Sequence, residues 1–81
     1  MTNQLVDVDK VANVSTVNKL CDFVQSCEGV TDFHLTTNMT EARATLTYKG
    51  TTFTSCEVYA LSAVVVVALD ALVHFGEVSN V

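Results

Sequence analysis

Residues 42–51 read Ala-Arg-Ala-Thr-Leu-Thr-Tyr-Lys-Gly-Thr. Ala42, Ala44, Leu46 and Tyr48 alternate with Arg43, Thr45, Thr47 and Lys49, which is the period-two pattern of a strand with one buried face. Lys49-Gly50 fits a two-residue hairpin turn, because glycine supplies the positive φ such turns need. A partner strand is then expected over about Thr51–Ser55. Upstream, Phe33 and Leu35 alternate with His34 and Thr36 and predict a first strand. One face of this sheet is apolar and the other is mostly threonine, so helices are expected on one face only.

Helices flank the strands on both sides. Val17, Leu20, Cys21 and Val24 stand at i, i+3, i+4 and i+7, one apolar stripe over about Thr16–Cys27. Ser15 or Thr16 can cap its start, and Gly29 follows its end. The second helix is expected from Cys56 or Glu57 to Phe75, with Gly76 after it. Four consecutive valines, Val64–Val67, favour strand by propensity. The length of the segment outweighs them, being too great for an ordinary strand. The fold class is therefore α+β, in the order α–β–β–β–α. Residues 1–14 read as an N-terminal arm, with a weak strand signal where Val6 and Val8 alternate with Asp7 and Asp9. The domain proper spans 15–81.

The chain has 81 residues, with 4 basic and 9 acidic side chains and a net charge of −5. Lys10, Lys19, Arg43 and Lys49 are scattered, whereas phosphate binding draws on clustered cations. No direct nucleic-acid binding is expected. The apolar run Val58–Leu69 is broken by Ser62 and is too short for a span of about 20 residues, so no membrane association is expected. Cys21, Cys27 and Cys56 show no metal-ligand spacing. Their odd number, without a secretory signal, points to reduced thiols and an intracellular location, nuclear or cytoplasmic.

Over residues 16–75 the sequence resembles the double-stranded-RNA-binding domain. Val17-Asn18-Lys19-Leu20-Cys21-Asp22-Phe23 is similar to that family's first helix. Ala44–Gly50 is similar to its second strand and turn. Ala60, Ala63, Ala68, Leu69 and Leu72 fit the alanine and leucine pattern of its last helix. The resemblance implies a three-stranded antiparallel sheet with two helices packed on one face.

Departures from the family pattern redirect the expected function. The family grips phosphates with lysines at the start of the second helix, where this chain has Glu57, Val58 and Leu61. Its first interstrand loop carries Gly-Pro-x-His. Here the loop is about Thr37–Thr40 and has none of these. The link from strand three to the helix is also shorter. The resemblance is therefore to degenerate members, like the third, C-terminal domains of Dicer-partner proteins in RNA silencing, including plant proteins. Those domains form homodimers or heterodimers, or dock on Dicer, without binding duplex RNA.

A helix packed on a sheet needs one apolar stripe, and this one has two. Ala60, Val64, Val67 and Ala71 can meet the sheet. Val58, Leu61, Val65, Leu69 and Leu72 form an outer row that is a candidate partner-binding surface. The alternative is that the first helix or the arm covers that row. The edge of strand three, at Thr52, Phe53 and Thr54, is a second candidate, because an edge strand offers free N–H and C=O groups. No catalytic role is expected. His34 and His74 lie in no local motif with a cysteine, no glycine-rich phosphate cradle exists, and no cofactor or metal is implied. A different function class stays open, a small acidic viral or phage inhibitor acting by protein binding or nucleic-acid mimicry. The spread of Asp7, Asp22, Glu28, Asp32, Glu41, Glu57, Asp70 and Glu77 along the chain speaks against mimicry.

Overall fold

The computed structural model describes residues 3–78. A three-stranded antiparallel sheet in the order β1-β2-β3 is formed by β1 (Val30–Thr37), β2 (Ala42–Tyr48) and β3 (Thr51–Glu57). Helix α1 (Val8–Ala12) and helix α2 (Val17–Gln25) precede the sheet, and helix α3 (Ala60–His74) follows it. The fold is α+β.

Strand β2 is central and shows the alternation expected of it. Ala42, Ala44, Leu46 and Tyr48 are buried and Arg43 is exposed. Phe33 pairs with Leu46, and Leu46 with Phe53. The β2–β3 turn is Lys49-Gly50, with φ of 50° and 83°, both positive as a type I′ hairpin requires. Strand β3 runs to Glu57, past the expected end at Ser55, because Cys56 and Glu57 pair with Arg43 and Ala42. The full length of β2 is thereby matched. This extension moves the start of the last helix from Cys56 or Glu57 to Ala60. The link shrinks to Val58 and Tyr59.

In α2, Thr16 takes the cap and Ser15 does not. The Thr16 hydroxyl accepts a hydrogen bond from the Lys19 N–H at 3.3 Å. Leu20 and Val24 are fully buried. The helix ends at Gln25 rather than Cys27. Gly29 adopts φ +90° at the entry to β1, and a Cβ there would stand 2.9 Å from the Tyr48 ring. Its glycine is needed for close approach to that ring as well as for the turn.

The N-terminal segment departs most from expectation. It is neither strand nor arm: Leu5–Asp7 forms a 3-10 turn that runs directly into α1. Leu5 is 1% exposed and Val8 is 0% exposed, so both belong to the core. Leu5, Val8 and Ala12 stand at i, i+3 and i+7, the helical spacing, and this outweighs a four-residue alternation. Glu28 N–H donates to the Asn3 carbonyl at 2.9 Å, and the Asn3 side-chain amide donates to the Ser26 hydroxyl at 2.7 Å. These bonds tie the segment to the loop after α2.

Helix α3 packs against β2 and β3, and α2 against β1. Six α3 residues are buried, in two rows at i+4 spacing. Ala63, Val67 and Ala71 make one row, and Val64, Ala68 and Leu72 the other. Leu72 was expected in the outer row. At 0% exposure it is core instead, because it stands eight residues, about two turns, after Val64 on the same face. The helix closes on Gly76, φ +71°, with the Glu77 N–H donating to the Leu72 carbonyl at 2.8 Å and the Gly76 N–H to the Val73 carbonyl at 3.0 Å. This is a Schellman end.

Candidate docking surface

The outer row of α3 divides into four parts. Val58 lies in the link, outside the helix, and is 72% exposed. Leu61 and Val65 are half-buried and line a groove. Leu69 is half-buried but lies outside that groove, and Leu72 is in the core. The groove encloses about 600 Å³. One wall is α1, through Asp9, Ala12 and Asn13. The other is the first half of α3, through Leu61, Ser62, Val65 and Val66, with Glu57 at the end of β3 completing the lining. Two of the five residues of the expected row are thus flanked by the N-terminal segment, the segment that the alternative reading had covering the row, and flanking them creates a concave site rather than covering it.

Sequence reasoning missed Asp9, Ala12, Asn13 and Glu57 because it placed 1–14 in an arm and Glu57 at the start of a helix, and it missed Ser62 and Val66 because neither lay on the stripes it traced along the last helix. The spacing of Leu5, Val8 and Ala12 was the available signal for the first three.

The second candidate, β3, is an edge strand, as is β1. Thr52 and Thr54 are exposed and face threonines of β2. The Thr47 and Thr52 hydroxyls are 3.0 Å apart and those of Thr45 and Thr54 are 3.5 Å apart. Phe53 points to the opposite face, half-buried, with its ring edge-on to His74 at 5.4 Å and to Phe75 at 6.4 Å. The two candidates therefore lie toward opposite ends of α3.

The cations are mostly engaged within the chain. Lys10 pairs with Asp7 at 3.8 Å, Arg43 with Glu41 at 3.3 Å and Lys49 with Glu77 at 2.6 Å. Among the described residues, Lys19 alone of the four cations has no ion-pair partner. The Lys49 ammonium and the Tyr48 hydroxyl, which donates at 2.9 Å, both hold the Glu77 carboxylate. They keep its pKa below the usual carboxylate range.

The cysteines sit in three different settings. Cys27 is buried and donates to the Phe23 carbonyl at 3.2 Å; burial, with Asp7 adding to it, pushes its pKa up to about 11. Cys21 is half-buried, and burial raises its thiol as well. Cys56 is exposed and donates to Glu41 at 2.8 Å, which raises its pKa too. All three shifts disfavour the nucleophilic thiolate. Among the described residues no three His, Cys, Asp or Glu side chains are grouped to hold a metal ion, and no helix is long and apolar enough to cross a membrane. Comparison with known proteins gives no relative: no family model, no curated protein and no solved structure matches this chain.

Proposed function

We propose that this chain is a protein-interaction module, non-enzymatic, built on the arrangement of a double-stranded-RNA-binding domain that does not bind RNA. The order α2, β1, β2, β3, α3, with α2 against β1 and α3 against β2 and β3, supports that arrangement and the placing of both helices on one face of the sheet. The cations support the loss of RNA binding. Three of the four are neutralised by neighbouring carboxylates, and duplex RNA is held largely through phosphate and 2′-hydroxyl contacts. Leu61 stands in the first turn of α3, where phosphate-gripping lysines would be needed, and Glu57 and Val58 just before the helix supply none.

The observation that carries the interaction reading is the apolar flank of α3. Leu61 and Val65 open on a groove instead of a closed core. Apolar surface contributes about 25 cal/mol per Å² when buried, and a few well-packed side chains at the centre of an interface dominate its energy. Following the resemblance, the partner class is another domain of this kind or a Dicer-type protein of RNA silencing, and the setting is intracellular.

Leu61→Glu and Val65→Glu test the reading. Each is expected to abolish capture of the partner from an extract of the source cells, while circular dichroism and the lack of duplex-RNA binding at low salt stay unchanged. Micromolar RNA affinity that falls steeply with salt overturns the reading. If the variants fold and still bind, the edge of β3 is the interface, and Phe53→Pro or Thr54→Pro removes the N–H that a docking strand uses.

A further inference from the structure

The groove between α1 and α3 carries a charge pattern as well as a shape. Ala12, Leu61, Val65 and Val66 make half of its lining apolar, Asn13 and Ser62 add neutral polar groups, and Asp9 and Glu57 contribute two carboxylates. Asp7, Glu41 and Glu77 each hold a lysine or arginine of this chain; Asp9 and Glu57, like Asp22, Glu28 and Asp70, form no ion pair among the described residues, and of these five only Asp9 and Glu57 line the groove. The chain has few cations left to offer them, since Lys10, Arg43 and Lys49 are engaged elsewhere.

A groove that is half apolar and bears two carboxylates without an ion pair among the described residues matches one kind of side chain well. Lysine and arginine lay an aliphatic stem along apolar surface while the charged head stays at the polar rim. A carboxylate there accepts a charge-assisted hydrogen bond, stronger than a neutral one. The groove is open, and its volume of about 600 Å³ falls within the roughly 300–1,000 Å³ of small-ligand sites, ample for two side chains. We propose that this groove seats a segment of a different protein in which an apolar anchor residue stands beside a lysine or arginine. The proposal rests on the docking reading above and names its partner's chemistry. A second copy of this chain fits poorly. Each copy carries a net charge of −5, and juxtaposed like charges oppose association.

Three synthetic helical peptides of equal length test it against the isotopically labelled full chain by amide chemical shifts. One alternates leucine and lysine faces, one has glutamate for lysine, and one has serine for leucine. The leucine–lysine peptide is expected to shift amides within residues 9–13 and 57–66 and to bind at least about tenfold more tightly than the other two. High salt weakens it. The double variant Asp9→Lys/Glu57→Lys is expected to lose about tenfold for leucine–lysine and to gain for leucine–glutamate. Should that variant not fold, Asp9→Asn, at an exposed position, carries the same test with a smaller loss.

Equal binding of the lysine and glutamate peptides overturns the proposal, as does the absence of shifts with any peptide. Shifts confined to β3 also overturn it, yet leave the docking reading standing at the strand edge. The docking reading itself fails separately, when Leu61→Glu, Val65→Glu and the β3 prolines all leave partner capture intact.

Discussion

In α2, Asn18, Lys19, Asp22 and Gln25 face water while Leu20 and Val24 are fully buried; in α3, only Asp70 and His74 are exposed. The two helices also begin differently. Thr16 caps α2 with its hydroxyl, whereas Tyr59 precedes α3 with no side-chain cap. The sequence of α2 therefore prescribes its start and its rotation, one stripe inward and one face outward. The sequence of α3 prescribes neither, because a helix that is apolar nearly all round packs in more than one rotation. Tertiary packing makes the choice. Ala63, Ala68 and Ala71 are turned inward, toward a sheet whose central strand presents Ala42 and Ala44. Small side chains on both partners let backbone approach backbone, and the larger Leu61, Val65 and Leu69 are left on the flank.

The sharpest way to break this picture is a pair of neighbours on α3. Val64 is 0% exposed and Val65 is half-buried on the groove. Val64→Asp buries an unpaired charge and is expected to cost several kcal/mol, enough to unfold a domain with only about 5 kcal/mol to lose. Val65→Asp is expected to cost about 1 kcal/mol, since its carboxylate reaches the groove. Urea unfolding followed by circular dichroism compares them. Equal loss in both would show that α1 closes over the groove in solution.

The same contrast explains what was readable in the chain. The strands, the Lys49-Gly50 turn, and α2 with a cap at Ser15 or Thr16 follow from local rules, period two, positive φ and one stripe at helical spacing. The existence of α3 was readable from its length. Its start was not, because β3 is drawn out to Glu57 by pairing with Ala42, a long-range effect with no local signature. The position of Leu72 was uncertain for a related reason. An almost wholly apolar helix has no polar face to mark which leucine turns outward. The groove was half readable: Leu61 and Val65 were picked out from α3, but the facing wall depended on seeing that Leu5 and Val8 are core.

Capping offers a smaller test with opposite signs in the two helices. Thr16→Ala is expected to destabilise by about 0.5–2 kcal/mol, since it orphans an N–H that α2 now satisfies. Tyr59→Ser gives α3 the hydroxyl cap it lacks. Tyr59 is 72% exposed, so little packing is lost, and a gain of about 0.5–1 kcal/mol is expected. Urea midpoints of both variants decide it. A loss in the serine variant would mean that the tyrosine ring contributes through contacts of its own.

The smallest effect belongs to the far end of α3. Glu77 is held chiefly by Lys49 and also by Tyr48, and its pKa lies below the ordinary value. A depressed carboxylate contributes stability above its unfolded pKa of about 4.3 and loses it as pH falls through the lower folded value. Glu77→Gln is expected to flatten that acid limb slightly, the pair being partly solvated. Parallel unfolding curves at neutral and acid pH measure it, and an unchanged acid limb would show that the contact contributes nothing in solution.

The burial of Leu5 and Val8 against α3 has a consequence for how the chain is made. Proteins leave the ribosome amino end first, at about 5–20 residues per second. Val8 and Val64, both fully buried in the one core, are therefore synthesised roughly 3–11 s apart on that rate. Through that interval Leu5 and Val8 can meet α2 but not α3, and β2 and β3 lack the helix that packs on them. The core closes only once α3 has emerged, so for that interval it stands open to chaperones and proteases.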